Sequence, residues 1–454
     1  MWRTLIAGMG MAAIVAACAT PPRPRQGEPG RGAFAREFAA PGGFSYEEAA
    51  AFVEFCIELD NQDTRARGGG TPQDAAVVDP GKWKLIYDSR QALAEDYFTY
   101  KREARLPPVA ADGRLPDDDV RHWGRVFANI DKLASGQKLS LNAPGDIQGN
   151  PILNGFGPWS NAWLLYEGMG PNQGRYAVAI RGTVFEAAPS AIEDGIFQPV
   201  EGHDFLTHAV SFSQDPNAIV HSGFAHATFT LMLDGRYGVL PVLKKMEIPA
   251  GSTLYIVGHS QGAAMATLVH AFLFNAMVGA ETSGNDPFQL KGLRYKLKSY
   301  VFAQPKPGNY AFCAEFASYT QGPDTALVIN NDIDPVPKVP LTIGSTVDLE
   351  TDFHGQFLLA RAVYALGATG KWFRRGLSEV LEWWTIRSAR GFSYFYQWQA
   401  LQPLLRLRSG SSWGFVPAGR VIFVYGTPQQ NQGQDVFFQH HATTYRALLE
   451  GQLK

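Results

Sequence analysis

Hydrophobic positions along this chain follow two periods. Phe52, Phe55, Cys56 and Leu59 recur at helical spacing behind Ser45-Tyr46-Glu47-Glu48, a capping-box sequence, and predict an amphipathic helix that stops before 65–70. The polar, glycine-rich 60–77 segment reads as loop. Short apolar runs bounded by turn residues then appear at 83–87, 161–166, 176–180, 253–257, 298–302, 326–329 and 421–425, with a helix-like stretch over 263–277. Strand-length runs separated by helical stretches predict an α/β fold with a mainly parallel central sheet flanked by helices. From 341 to 418 the pattern breaks, and Trp372, Phe373, Trp383, Trp384, Phe392, Tyr394, Phe395, Tyr396 and Trp398 crowd one aromatic-rich segment ahead of the last strand.

The first residues belong to another pattern. Arg3 precedes an uncharged run from Leu5 to Ala17, too short to cross a bilayer and typical of a signal peptide over 1–17. Val15-Ala16-Ala17-Cys18 resembles the lipobox of bacterial lipoproteins, which implies cleavage before Cys18 and lipidation of that cysteine. With Ala19 in place of Asp, the resemblance implies an outer-membrane lipoprotein facing the periplasm or the cell surface; plain secretion is the alternative. The Pro/Gly/Arg-rich start of 18–41 then serves as a tether, and the folded domain runs over 42–454. Export leaves Cys56 and Cys313 either bridged as a disulfide or present as two buried thiols.

Composition narrows the class of function. The 454 residues are 45% hydrophobic and 18% charged, which excludes a disordered or fibrous chain. Lys+Arg 40 against Asp+Glu 42 leaves a formal charge of -2 and no basic footprint for nucleic acid.

The most informative segment is Leu254-Tyr255-Ile256-Val257-Gly258-His259-Ser260-Gln261-Gly262-Ala263-Ala264. An apolar strand enters Gly-x-Ser-x-Gly and leaves as a helix of small residues, the context of a nucleophile elbow. A sharp strand-to-helix turn strains the serine backbone, and side chains at Gly258 or Gly262 would collide with neighbouring backbone. The same spacing recurs at 410–414, but Arg406 and Arg408 precede it and Pro417 follows, so Ser412 reads as a loop serine.

Ile180-Arg181-Gly182-Thr183, Val220-His221-Ser222-Gly223-Phe224, the elbow, and Phe302-Ala303-Gln304-Pro305-Lys306-Pro307-Gly308-Asn309 follow one another as in the class 3 (fungal-type) lipases, which the 159–340 region resembles. The resemblance implies an α/β-hydrolase fold and a serine hydrolase of carboxylic esters. Triacylglycerol or another lipid ester would be the substrate, an acyl-enzyme the intermediate, and no cofactor or metal is needed. It assigns the oxyanion donors to Thr183 and to the backbone N–H of Gln261, which follows the nucleophile. Ala303 departs from the family, whose motif carries glycine there, and the segment after 341 reads as an insertion. A short-chain carboxylesterase, an acyltransferase and a non-catalytic lipid-binding lipoprotein are the alternative functions.

In α/β-hydrolases the acid follows the serine and the histidine follows the acid. Asp332 and Asp334 lie just past the 326–329 strand, where ligands collect in open α/β sheets, and Asp334-Pro335-Val336-Pro337 resembles the family's acid signature. Of ten histidines only His354, His440 and His441 come later, and His440 and His441 follow the last strand. Family members often place tyrosine five positions after the catalytic histidine, as Tyr445 follows His440; His441 is the alternative. His259 precedes the serine and packs or tunes the turn. His203, Asp204 and His208, near Glu201, match no metal spacing and read as polar loop. A lid is expected at 184–219, and the later aromatic segment is a second candidate for acyl or membrane contact.

Overall fold

The computed structural model describes residues 31–66, 78–89, 161–183, 199–203, 211–233, 238–284, 286, 288–340, 414–427 and 438–453. In chain order the helices are α1 (Arg31–Glu37), α2 (Tyr46–Ala66), α3 (Ser222–Leu233), α4 (Val239–Lys245), α5 (Gln261–Thr282), α6 (Tyr310–Thr320) and α7 (Ala442–Gly451). The strands are β1 (Trp83–Asp88), β2 (Trp163–Gly168), β3 (Arg175–Ile180), β4 (Pro199–Glu201), β5 (Ile219–His221), β6 (Thr253–His259), β7 (Lys296–Phe302), β8 (Gly308–Asn309), β9 (Ala326–Asn331), β10 (Phe415–Val416) and β11 (Arg420–Val424).

Seven strands form one sheet in the order β1-β2-β3-β6-β7-β9-β11. The strands from β3 to β11 are parallel, and β1 and β2 join antiparallel at one edge. Ile180, Gly258, Val301 and Val328 stand side by side across β3, β6, β7 and β9. Both faces are covered, which explains the near-continuous apolar runs of the parallel strands. Val178, Ile180, Leu254, Ile256 and Val301 pack with α5, α3 and α6, whereas Ala179, Tyr255, Val257 and Tyr300 pack with Phe52 and Phe55 of α2 and Tyr445 and Leu449 of α7. Helix α5 is long and apolar enough to cross a membrane, and it lies buried as the core helix behind the elbow.

The structure revises several expectations. Helix α1 lies inside the expected 18–41 tether, and this stretch packs on the core: Ala35 and Phe38 are buried and Leu297 N donates to Phe38 O at 2.6 Å. Helix α2 runs on to Ala66, through positions assigned to loop. Only half of the capping box forms, because Ser45 Oγ accepts from Glu48 N at 3.3 Å while the Glu48 carboxylate turns to Lys298 Nζ at 2.6 Å and Tyr300 OH at 2.7 Å. Cys56 and Cys313 are not joined by a disulfide; each is a buried thiol, and they belong to the cores on opposite faces of the sheet.

A second, small antiparallel sheet, β10-β8-β5-β4, takes in Pro199–Glu201 and Ile219 of the expected lid range. The later part is tied to α6: the Glu315 carboxylate accepts from Gln214 N at 2.8 Å and Asp215 N at 2.7 Å, and Asn309 Oδ1 accepts from Ile219 N at 3.0 Å. Residues 184–198 and 204–210 of that range, Cys18, and the aromatic segment up to 413 lie outside the described residues.

Candidate active site

The site grows from the end of β6. Ser260 follows His259 directly and caps α5 with φ 58° and ψ -132°, a conformation L residues rarely adopt. Its N–H donates to Phe302 O at 3.0 Å and its carbonyl accepts from Ala263 N at 2.8 Å, so the turn is pinned from both sides. A Cβ on Gly258 would stand 2.1 Å from Gly262 O, and one on Gly262 2.4 Å from Ile180 O. Only glycine allows strand, elbow and helix to pass this closely.

Ser260 Oγ lies 2.9 Å from His440 Nε2, and His440 Nδ1 lies 2.9 Å from Asp334 Oδ2. Three separate pieces of chain supply the three groups: the elbow, the loop after β9, and the 3₁₀ turn Phe438–His440 ahead of α7. Asp334 is fully buried, and its carboxylate also accepts from Tyr445 OH at 2.7 Å and from Val336 N at 2.9 Å. Tyr445 OH in turn accepts from Asn331 N at 2.9 Å. Burial and the Asp334 charge push the Tyr445 phenol well above its ordinary pKa, which keeps it a donor. With Nδ1–H given to the carboxylate, Nε2 is left to accept the serine proton.

The neighbouring candidates do other work. Asp332 Oδ1 accepts from Gly426 N at 2.9 Å, tying the β9 loop to the end of β11. His441 is the N-cap residue of α7, and its carbonyl accepts from Thr444 N at 2.9 Å. His354 lies outside the described residues. Thr183, half-buried, ends the β3 segment; the Cβ position of Gly182 beside it is 3.2 Å from Ser260 Cβ. Gln261 is the first residue of α5 and is buried. The strand end and the helix start therefore flank the nucleophile.

Several supporting residues were given no role by the sequence, although Gln304 and Lys306 lie in the Phe302–Asn309 motif. Gln304 fastens β7 to its surroundings, with Nε2 donating to Thr267 Oγ1 at 2.7 Å and Oε1 accepting from Ala418 N at 3.0 Å. Lys306 Nζ donates to Lys338 O at 2.8 Å and holds the chain just past the acid. Asn331 Nδ2 donates to Gln439 Oε1 at 2.7 Å, linking the acid loop to the histidine loop. Ala303, where the family carries glycine, has φ 52°. Among the described residues no group of three or more His, Cys, Asp or Glu is placed to hold a metal ion.

The sheet order, the helices on both faces and the elbow at the carboxyl end of a central parallel strand define an α/β-hydrolase fold. Residues 177–343 match the family described as lipase (class 3), a stretch that includes Gly182, Ser260, Gln261 and Asp334 and stops before His440. No curated protein matches the sequence. Among solved structures, the M37 lipase is 15% identical, with 64% of this chain and 76% of that chain covered and a TM-score of 0.37. A lipase from Rhizopus microsporus var. chinensis is 14% identical, covering 70% and 76%, with a TM-score of 0.32. The Rhizomucor miehei triacylglyceride lipase is 17% identical, covering 57% and 77%, with a TM-score of 0.28. These superpositions are loose, and the fold stands on the chain's own sheet and elbow.

Proposed function

We propose that this chain is a serine hydrolase of carboxylic esters, a lipase acting on triacylglycerol or other lipid esters. The observation that carries the reading is the continuous relay from Ser260 Oγ through the His440 ring to Asp334, with 2.9 Å at each step. Ser260 attacks the acyl carbonyl as His440 Nε2 takes its proton. Charge gathering on the carbonyl oxygen meets the N–H groups of Thr183 and Gln261 and the amino end of α5. The imidazolium, stabilised by Asp334, then protonates the leaving alcohol, and water repeats the sequence to release the acid. The class 3 lipase match over 177–343 supports the ester class and a lipid ester as substrate. The Leu5–Ala17 run and Val15-Ala16-Ala17-Cys18 support export and a lipid anchor on Cys18 in the bacterial outer membrane.

The test is hydrolysis of p-nitrophenyl esters from short to long acyl chains, with liposomes present, by wild type and Ser260→Ala. Activity that rises with chain length and drops by roughly 10⁴–10⁶ in the variant is expected. A short-chain optimum would demote the chain to an esterase, and equal rates from both proteins would overturn the assignment of Ser260. Radiolabelled fatty acid incorporated by wild type but not by Cys18→Ala is expected for the anchor; label in both would remove it.

A further inference from the structure

His259, which the sequence assigned to packing or tuning the turn, touches the same histidine as the nucleophile does. Its Nε2 is 2.7 Å from the backbone carbonyl of His440. The two imidazoles lie 4.7 Å apart at 32°, and the Tyr445 ring meets His259 edge-on at 5.9 Å. Consecutive residues of one turn therefore grip one residue of another: Ser260 at the ring, His259 at the main chain.

We propose that His259 is a positioning residue for the base, clamping the His440 backbone so that its imidazole stays within reach of the serine. The proposal rests on the triad reading above. His440 ends a short 3₁₀ turn ahead of α7, while Ser260 sits in an elbow pinned from both sides. A loop-borne base swings easily, and a displacement of about 1 Å is enough to cost roughly 10²-fold in rate. The clamp ties the base to the elbow itself, so nucleophile and base move as one body.

The contact fixes the chemistry of His259. A carbonyl oxygen only accepts, so Nε2 carries the proton. The ring must also be neutral, because His440 becomes an imidazolium during turnover and a second cation against it would oppose that step. Burial, and then the neighbouring His440, hold His259 well below the ordinary histidine range. Of the other titratable groups at hand, His441 opposes its charging as well, and Tyr445 and Asp334 are engaged with each other.

Two substitutions separate a clamp from a mere filler. His259→Phe keeps a ring of similar size and loses the N–H; His259→Gln keeps a donor and loses the ring. The expected result is a kcat lower by about 10–10²-fold in the phenylalanine variant at unchanged KM, with glutamine restoring it to within about threefold of wild type. Equal losses in both variants that track a fall in Tm, or wild-type kcat in the phenylalanine variant, would overturn the clamp. A readout free of turnover accompanies these: in ¹⁵N-histidine spectra of the wild type, His259 should stay a neutral Nε2–H tautomer from pH 5 to 9. Titration near 6.5 or an Nδ1–H tautomer would remove the proposal whether or not the protein hydrolyses esters. Absence of wild-type hydrolysis with that tautomer intact would instead count against the lipase reading and leave the clamp standing.

Discussion

The helical face formed by α2 and α7 covers two carboxylates held in nearly the same manner. Glu48 accepts from Tyr300 OH at 2.7 Å, Tyr255 OH at 3.1 Å and Lys298 Nζ at 2.6 Å. Asp334 accepts from Tyr445 OH at 2.7 Å and faces His440 Nδ1 at 2.9 Å. One partner differs in kind. Lys298 Nζ donates only to the Glu48 carboxylate and, at 2.8 Å, to the Gly43 carbonyl, and the Glu48 cluster holds α2 on the sheet. His440 is an imidazole with a second nitrogen aimed at Ser260, so the Asp334 cluster can pass a proton to and from the serine. A carboxylate bonded to a tyrosine is thus structural or chemical according to the base it is paired with.

The widest separation between the two clusters should come from removing each carboxylate. Asp334→Asn should slow ester hydrolysis by about 10⁴-fold, since the histidine loses the partner that fixes its tautomer. Glu48→Gln should leave kcat unchanged and lower stability by about 2 kcal/mol in urea melts, because it leaves the buried Lys298 ammonium without its carboxylate. A rate effect from Glu48→Gln would break the distinction. At the next level, Tyr445→Phe should slow turnover by about tenfold, as expected for a lost hydrogen bond to a charged group, whereas Tyr300→Phe should act on stability alone.

Acid separates the clusters by a smaller amount. For Glu48, burial works to raise the pKa, but the bonds from Lys298 and Tyr300 outweigh it and keep it below the ordinary 4.5. Its contribution to stability is complete above 4.5 and is lost as pH falls through the lowered folded value. Buried His270, against Ser299 Oγ at 3.0 Å, is pushed down to about 3. The unfolded chain takes up that proton below 6.5 and the folded chain refuses it until about 3, so stability declines from pH 6.5 downward. Urea midpoints measured from pH 7 to 3 should fall in two stages, with the lower stage absent in Glu48→Gln; a flat profile would contradict both. The smallest expected effect is Ala303→Gly, where relief of the positive φ offsets the lost methyl contact and the change stays within about 1 kcal/mol.

How much of this was legible follows from the range of each interaction. Strands β6, β7 and β9 and the elbow were readable because an apolar run and two glycines are local signals. The acid and base were narrowed by chain order and resemblance, but Asp332 against Asp334 and His440 against His441 differ by one or two positions. Only the assembled loops give Asp332 to Gly426 and make His441 the cap of α7. Glu48 shows the opposite error: a valid capping-box spacing hid a bond to a lysine 250 residues away. Helix α1 was missed because its Pro/Gly/Arg-rich approach outweighed Phe34, Ala35 and Phe38, an apolar face of a single turn.

The serine and its histidine are 180 positions apart, and α7 with Tyr445 comes later still. Synthesis from the amino end delivers the nucleophile, its strained elbow and the acid well before the base. Until the last segment docks, the growing chain carries an inert hydroxyl, and ester cleavage begins only with the closing step of folding. Order of synthesis thereby acts as a safety catch, holding the nucleophile silent until its base has docked.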